Sequence, residues 1–300
     1  MSADLAKKNR FARFVKRLKR SKPDYFLISA FIGLTLLAVF MLLPLVFIVN
    51  HAFKPINELF MYPPRFLAEH PTLFNFRQLF LNAQKMSIPF SRYFFNSVFT
   101  TGVTVAAAVL ISAMAAYAFS KHKFPGSSVF FGLIIISLMF APEAVVIPRF
   151  ILISELGIMN TYFSHIWPLV AMPVGVFLMR QFIDQIPNAL IEAAKIDGAK
   201  EWKIFYRIVL PVCMPAVATV AILAFQMSWS QTETSNYYVQ VESLKTLPYY
   251  VATLTGGLAN GVVGQGIAAA ASLMIFLPNL IIFLLFQRQV LMTMAHSGIK

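Results

Sequence analysis

Charge is scarce in this chain, and acidic charge most of all: 12 Asp and Glu stand against 25 Lys and Arg, together 12% of 300 residues. Soluble domains of similar length carry about 25% charged and about 45–50% apolar residues. Here 58% of residues are hydrophobic and the mean hydropathy is +0.70, which excludes an ordinary water-solvated globule and points to lipid as the solvent. Cysteine is almost absent. Cys213 alone permits no internal disulfide and leaves the redox compartment unread. No G-x-x-x-x-G-K-[ST] occurs, so this chain has no phosphate-cradling loop and any ATP must be bound by another polypeptide. The five histidines, His51, His70, His122, His165 and His296, lack H-E-x-x-H or any other ligand spacing, so no metal site is expected. No credible nucleophile–base set is present either, which argues against an intramembrane enzyme and leaves no catalytic residue to name.

The net charge of +13 raises the question of nucleic acid, and its distribution answers it. Nine of the 25 cations lie between Lys7 and Lys22, directly ahead of a long apolar run. A basic segment in that place is drawn to anionic lipid at roughly 1 kcal/mol per cation. Residues 1–24 therefore read as a basic cytoplasmic tail. Phe11, Phe14, Val15 and Leu18 recur within it at helical spacing, as in a surface-lying amphipathic helix. A disordered tail that only orients the first span accounts for them equally well. The run Phe26–Val49 is too long for a signal-peptide core and reads as a retained helix.

A span needs ~20 apolar residues to cross ~30 Å of hydrocarbon. Six runs qualify: Phe26–Val49, Tyr93–Ser120, Val129–Ile147, Gly157–Met179, Pro211–Trp229 and Ile267–Phe286. The fold class that follows is an all-α membrane protein with six transmembrane helices, residues 25–300 forming a single transmembrane domain. With the N-terminus in the cytoplasm, eighteen cations fall inside and seven outside, so the positive-inside bias places both termini there.

The segments between spans are unequal. Lys121–Ser128 is a tight hairpin. The loop at about 180–210 is too long to be a mere connector and invites a functional reading. Within it, Pro187 suits a first helical turn and Gly198 suits the left-handed position that closes a helix. Pro187–Asp197 should thus be a short helix of about three turns, ~16 Å long. A second helix from about Glu201 should run through Phe205, Tyr206 and Leu210 into Pro211 and the fifth span. Adjacent alanines let a partner approach a helix closely, and Glu192, Lys195 and Asp197 can fix its register in a polar groove. Lying on the membrane is the alternative. On the outer side, Ser230–Gly266 ends in Gly256-Gly257-Leu258-Ala259-Asn260-Gly261, a stretch suited to re-entrant or lid-like structure.

Glu192-Ala193-Ala194, Asp197-Gly198-Ala199, Phe205, Ile208, Leu210-Pro211 and Pro215 resemble the "EAA" loop of binding-protein-dependent ABC permeases. Ala52-Phe53-Lys54-Pro55, Glu58-Leu59-Phe60, Tyr117-Ala118-Phe119, Asn160-Thr161-Tyr162 and Phe286-Gln287-Arg288 extend the likeness to the carbohydrate-uptake branch, specifically its maltose-type second permease. The resemblance covers nearly the whole chain. It implies that Glu192, Ala193, Ala194, Asp197, Gly198 and Ala199 form a coupling helix docking on a separate ATPase. It also implies a sister permease, two ATP-binding subunits that hold ATP and Mg, and an extracytoplasmic solute-binding protein. This chain itself would bind no cofactor, would sit in a bacterial inner membrane, and would pass a sugar, an oligosaccharide by expectation, by alternating access. An ion-coupled secondary transporter is the alternative. It would require internal repeats and a chain of buried acids, and neither is visible.

Sugar recognition combines aromatic faces with polar groups for hydroxyls. Trp229, Glu233, Asn236, Tyr237 and Tyr238 could supply both near the outer halves of the last two spans, with an interfacial aromatic belt as the competing account. Ser230-Gln231-Thr232-Glu233 departs here from the family's usual pattern, so no particular sugar carries over. His165, inside the fourth expected span, reads as a neutral histidine bonded to a neighbouring helix, although an intramembrane ionisable residue invites a functional reading. Glu143 beside Pro142 reads as a cap or a water-exposed group.

Overall fold

A computed structural model describes residues 25–63, 65–85, 88–258 and 261–297, so the basic tail lies outside the described residues. Every regular element among them is helical. Apart from short helical turns at Ile56–Leu59, Pro142–Val145 and Glu242–Leu244, these are in chain order α1 (Tyr25–Phe53), α2 (Phe74–Lys85), α3 (Phe90–Lys121), α4 (Ser127–Ser137), α5 (Val146–Glu155), α6 (Tyr162–Val170), α7 (Pro173–Asp184) and α8 (Asn188–Ile196). Then come α9 (Glu201–Val212), α10 (Met214–Trp229), α11 (Glu233–Tyr237), α12 (Leu247–Leu258) and α13 (Val262–Ser297).

Three helices, α1, α3 and the Gly264–Gln289 part of α13, are individually long and apolar enough to cross a membrane. The other three expected spans are bent pairs: α4 with Pro142–Glu155 at 111°, α6 with α7 at 45°, and α9 with Met214–Tyr237 at 83°. Proline punctuates each break. Pro142 holds Ala141 in extended backbone (φ −66°, ψ 137°) because its ring disfavours helix in the residue before it. The Val129–Ile147 run is therefore folded back on itself, not one rod. Pro173 opens α7 at a position where a missing N–H costs nothing.

The α9–α10 joint corrects a second expectation. The helix from Glu201 does not continue into the fifth span. Pro211 has no N–H to return to the preceding turn, the backbone widens to a π-turn over Phe205–Val209, and the path breaks at Cys213. Of the glycine-rich stretch, Gly256 and Gly257 fall in the last turn of α12, and Ala259 and Asn260 lie outside the described residues.

Helix α3 is the axis of the bundle. Its buried stripe, Asn96, Ser97, Thr100, Thr104, Ala108, Ser112 and Ala116 among them, is made of small or hydroxylated residues at helical spacing. Small residues let neighbouring backbones approach, the source of packing energy where lipid offers no hydrophobic drive. At Gly175 of α7 a Cβ would stand 2.7 Å from Ser112 Oγ, so a larger residue would have to displace that hydroxyl at this crossing. One apolar cluster surrounds the C-terminal half of α3 and includes Ile186, Ile191, Ala194, Ile204 and Phe205. Another, with Tyr93, Trp229, Leu247 and Tyr250, surrounds its N-terminal end. By contrast α1 is apolar on all sides and almost wholly exposed, as a helix facing lipid or another subunit must be.

Candidate functional site

The helix α8 owes its ends to local chemistry. Pro187 precedes Asn188 with extended backbone. At the other end Gly198 adopts φ +72°, its N–H reaches Lys195 O (3.0 Å), and Ala199 N–H reaches Ala194 O (3.0 Å). This paired closure satisfies carbonyls that the helix would leave bare. Ile191 and Ala194 turn inward onto the bundle core. Glu192, Ala193 and Asp197 are exposed, and so are Leu190 at 44% and Ile196 at 86%. Of the adjacent alanines, only Ala193 is presented outward, while Ala194 seats the helix on its own bundle.

Polar groups hold α8 at both ends. Lys121 Nζ donates to Ile186 O (2.7 Å) and to Asn188 Oδ1 (3.1 Å). Lys195 Nζ pairs with Glu201 Oε1 (2.7 Å), and Tyr117 O–H donates to Glu201 Oε2 (2.9 Å). Ser120 O–H donates to the Asp184 carboxylate just upstream.

At the opposite end of α3, the loop from Glu242 to Leu247 is wedged between α3 and α6. Asn96 Nδ2 donates to Ser243 O (2.9 Å) and Lys245 O (2.8 Å), while Asn96 Oδ1 accepts from Tyr162 O–H (2.8 Å). Leu247 N–H donates to Ser97 Oγ (2.8 Å). Lys245, only 9% exposed, pairs with Glu242 (2.8 Å) and reaches Tyr249 Oη (2.7 Å). Burial works against its ammonium, but these partners outweigh burial and raise its pKa above the ordinary lysine value. His165 completes the wedge. Leu244 O can only accept, so Nε2 donates to it (3.0 Å), and a neutral ring then accepts from Thr234 Oγ1 at Nδ1 (2.8 Å). His165 is thus bonded across to α11, as a structural histidine would be. Glu143 is exposed on the turn Pro142–Val145.

Of the five residues expected along a sugar path, Glu233, Asn236, Tyr237 and Tyr238 fall on α11 and the residue after it, and Trp229 closes α10. Trp229 is buried, stacked on Phe225 (5.6 Å, 9°), with Nε1–H donating to Ile275 O (3.0 Å). Its edge borders an apolar groove of about 520 Å³ lined also by Phe94, Val98, Thr101, Phe225 and Pro278. Glu233 accepts from Arg149 (3.2 Å) and from the buried Tyr238 O–H (2.9 Å). Only Asn236 and Tyr237 stand exposed. Asn96, Tyr117, Lys121, Arg149 and Glu201, which make these contacts, are not among the residues the sequence marks for a site. Asn96 and Tyr117 lay in plain view as polar groups inside an otherwise apolar run.

A family profile described as "Binding-protein-dependent transport system inner membrane component" matches residues 108–290, more than half of the chain. The chain belongs to that family. Among its relatives, the arabinooligosaccharides transport system permease protein AraQ of Halalkalibacterium halodurans is 33% identical over 275 residues, 90% of this chain and 95% of the relative. The galactooligosaccharides transport system permease protein GanQ of Bacillus subtilis is 29% identical, covering 91% and 95% respectively. A crystal structure of a bacterial ABC transporter involved in the import of the acidic polysaccharide alginate superposes with a TM-score of 0.76 at 21% identity, covering 89% of this chain and 98% of that one. At that identity the superposition speaks for the fold. As a binding-protein-dependent permease the chain is a transport subunit of an inner-membrane importer, not an enzyme.

Proposed function

We propose that this permease passes an oligosaccharide inward by alternating access, with α8 as the element gripped by an ATPase. Residues 25–300 act as one permease domain with six crossings, each bent pair serving as one, and with both termini and the 180–210 loop in the cytoplasm. Glu192, Ala193 and Asp197 meet the partner's groove. Ala194, Gly198 and Ala199 set the helix and its closing turn on the bundle. The observation that carries this reading is the exposed apolar edge of α8, where Ile196 is 86% exposed on a helix of nine residues. Such an edge is costly to leave in water, at about 25 cal/mol per Å², and it is far too short to span a bilayer.

The partners follow from the same reading. A sister permease completes the pathway, two subunits bind ATP and Mg, and a solute-binding protein delivers the sugar outside. ATP drives transport only through its differential effect on the two conformations of the permease. The oligosaccharide assignment rests on the names of the relatives and on a polar, aromatic outer segment. Within it, the exposed Asn236 and Tyr237 contact the sugar, and Trp229, Glu233 and Tyr238 shape the wall behind them. Deleting Ala189–Ala199 and testing co-purification of the ATPase subunits decides the coupling role. Retained ATPase binding would refute it. Thermal-shift screening of the cognate binding protein against neutral and acidic oligosaccharides identifies the sugar, and a response confined to non-sugar solutes would refute the substrate class.

A further inference from the structure

The groups that hold α8 converge on a helix that is not adjacent to it in the chain. Tyr117 and Lys121 are one turn apart, on the same side of α3. Lys121 reaches the N-terminal end of α8 through Ile186 O and Asn188 Oδ1. Tyr117 reaches its C-terminal end through Glu201, which Lys195 of α8 also holds. One turn of α3 therefore brackets both ends of α8 and leaves its outward edge free.

Besides the short link at residues 185–187 back to α7, which itself packs on α3, two routes lead from α8 to the rest of the molecule. The covalent route toward α10 passes a left-handed glycine at Gly198, a π-turn over Phe205–Val209 and an 83° break at Cys213. Each is a joint that can absorb movement. The other route is α3, an unbroken helix of 32 residues, ~48 Å long at 1.5 Å per residue. Its far end is bonded to the Glu242–Leu247 loop through Asn96 and Ser97.

We infer that Tyr117, Lys121 and Glu201 are positioning residues that clamp α8 to α3, so that displacement of α8 is delivered along α3 to the loop at residues 242–247. The inference rests on α8 being the ATPase handle and adds the path by which its movement leaves. Lys195 and Glu201 are half-exposed, and bonds of that kind re-form readily after a shift. Tyr117 is buried, which keeps the clamp aligned.

The test uses the intact complex with its partner subunits in lipid nanodiscs. Gln240→Cys, on the exposed turn beside the loop, supplies a reporter; Cys213 is buried and does not compete. The readout is the rate of maleimide labelling with and without ATP and vanadate. In the parent, nucleotide changes the rate. In Tyr117→Phe/Lys121→Met the change is lost although the ATPase subunits remain bound and hydrolyse ATP. Lys121→Arg, which keeps a donor for Ile186 O, retains the change. Should the double variant not assemble, Lys121→Met alone carries the test.

A nucleotide response that survives loss of the clamp, or its absence in the parent, overturns the inference. The handle reading fails separately: Ala193→Arg places bulk on the outward edge of α8, and unaltered ATPase binding and labelling there would remove the handle while leaving the clamp's contacts intact.

Discussion

The two ends of α3 are held by different chemistry. At the N-terminal end Asn96, Ser97 and His165 bond mainly to backbone atoms of the loop at residues 242–247, and all three side chains are buried. At the C-terminal end Lys121, Lys195 and Glu201 use long charged side chains, with Lys195 and Glu201 about half exposed. A buried polar group has no water to fall back on, so breaking its bond costs the full desolvation penalty. An exposed ion pair exchanges with solvent and contributes little net stability. One end is built to hold its loop fast, and the other to exchange its partners.

That contrast is broken most directly at Asn96. Asn96→Ala removes the donors to the part-buried Ser243 carbonyl and the buried Lys245 carbonyl and the acceptor for Tyr162 O–H, and should cost about 3 kcal/mol. Thermal unfolding of the detergent-purified chain should show it as the largest fall in Tm of the series. A loss below about 1 kcal/mol would mean that water already reaches the loop. His165→Leu comes next. It strands Leu244 O and Thr234 O–H and should cost about 2 kcal/mol in the same assay.

At the other end Glu201→Gln keeps an acceptor for Tyr117 but gives up the ion pair with Lys195. Its stability loss should be no more than about 1 kcal/mol, reduced further by salt. A Tm loss matching that of Asn96→Ala would erase the distinction between the two ends, because the clamp would then be part of the core.

Legibility in the sequence divides along a related line. The helix α8 could be read in advance because its signals are local: Pro187 before it, Gly198 after it, and good helix formers between. The apolar runs could be read for the same reason. The 111° fold after α4 was also marked locally, by Pro142, but a long run of hydropathy hid it. Burial of Trp229 was out of reach, since its N–H partner is the Ile275 carbonyl of another helix. The role of Asn96 depends on Ser243 and Lys245, nearly 150 residues away, and no pattern of spacing reports such a pair. Lys121 is visible in the sequence only as a charge that orients the chain; its partners Ile186 and Asn188 are 65 and 67 residues away.

The smallest effect sharpens the comparison within the N-terminal side itself. Glu58 lies on the turn Ile56–Leu59 after α1, where its carboxylate accepts the N–H groups of Glu69 (3.0 Å) and His70 (2.9 Å). Burial by itself would raise this carboxyl, but the two N–H groups, helped by the charges of His70 and Lys54, outweigh it and hold the pKa below the ordinary value. A group whose folded pKa is lowered stabilises the fold fully above its unfolded value, about 4.3, and the contribution disappears as pH falls through the lower folded value. Cleavage of the segment near residues 65–70 by an acid-active protease should therefore accelerate only below about pH 4 and stay flat between about pH 5 and 8. Glu58→Gln should abolish that acceleration, since a neutral amide has nothing to protonate. Acceleration that begins near pH 6 would instead assign the titration to a histidine and detach this loop from Glu58.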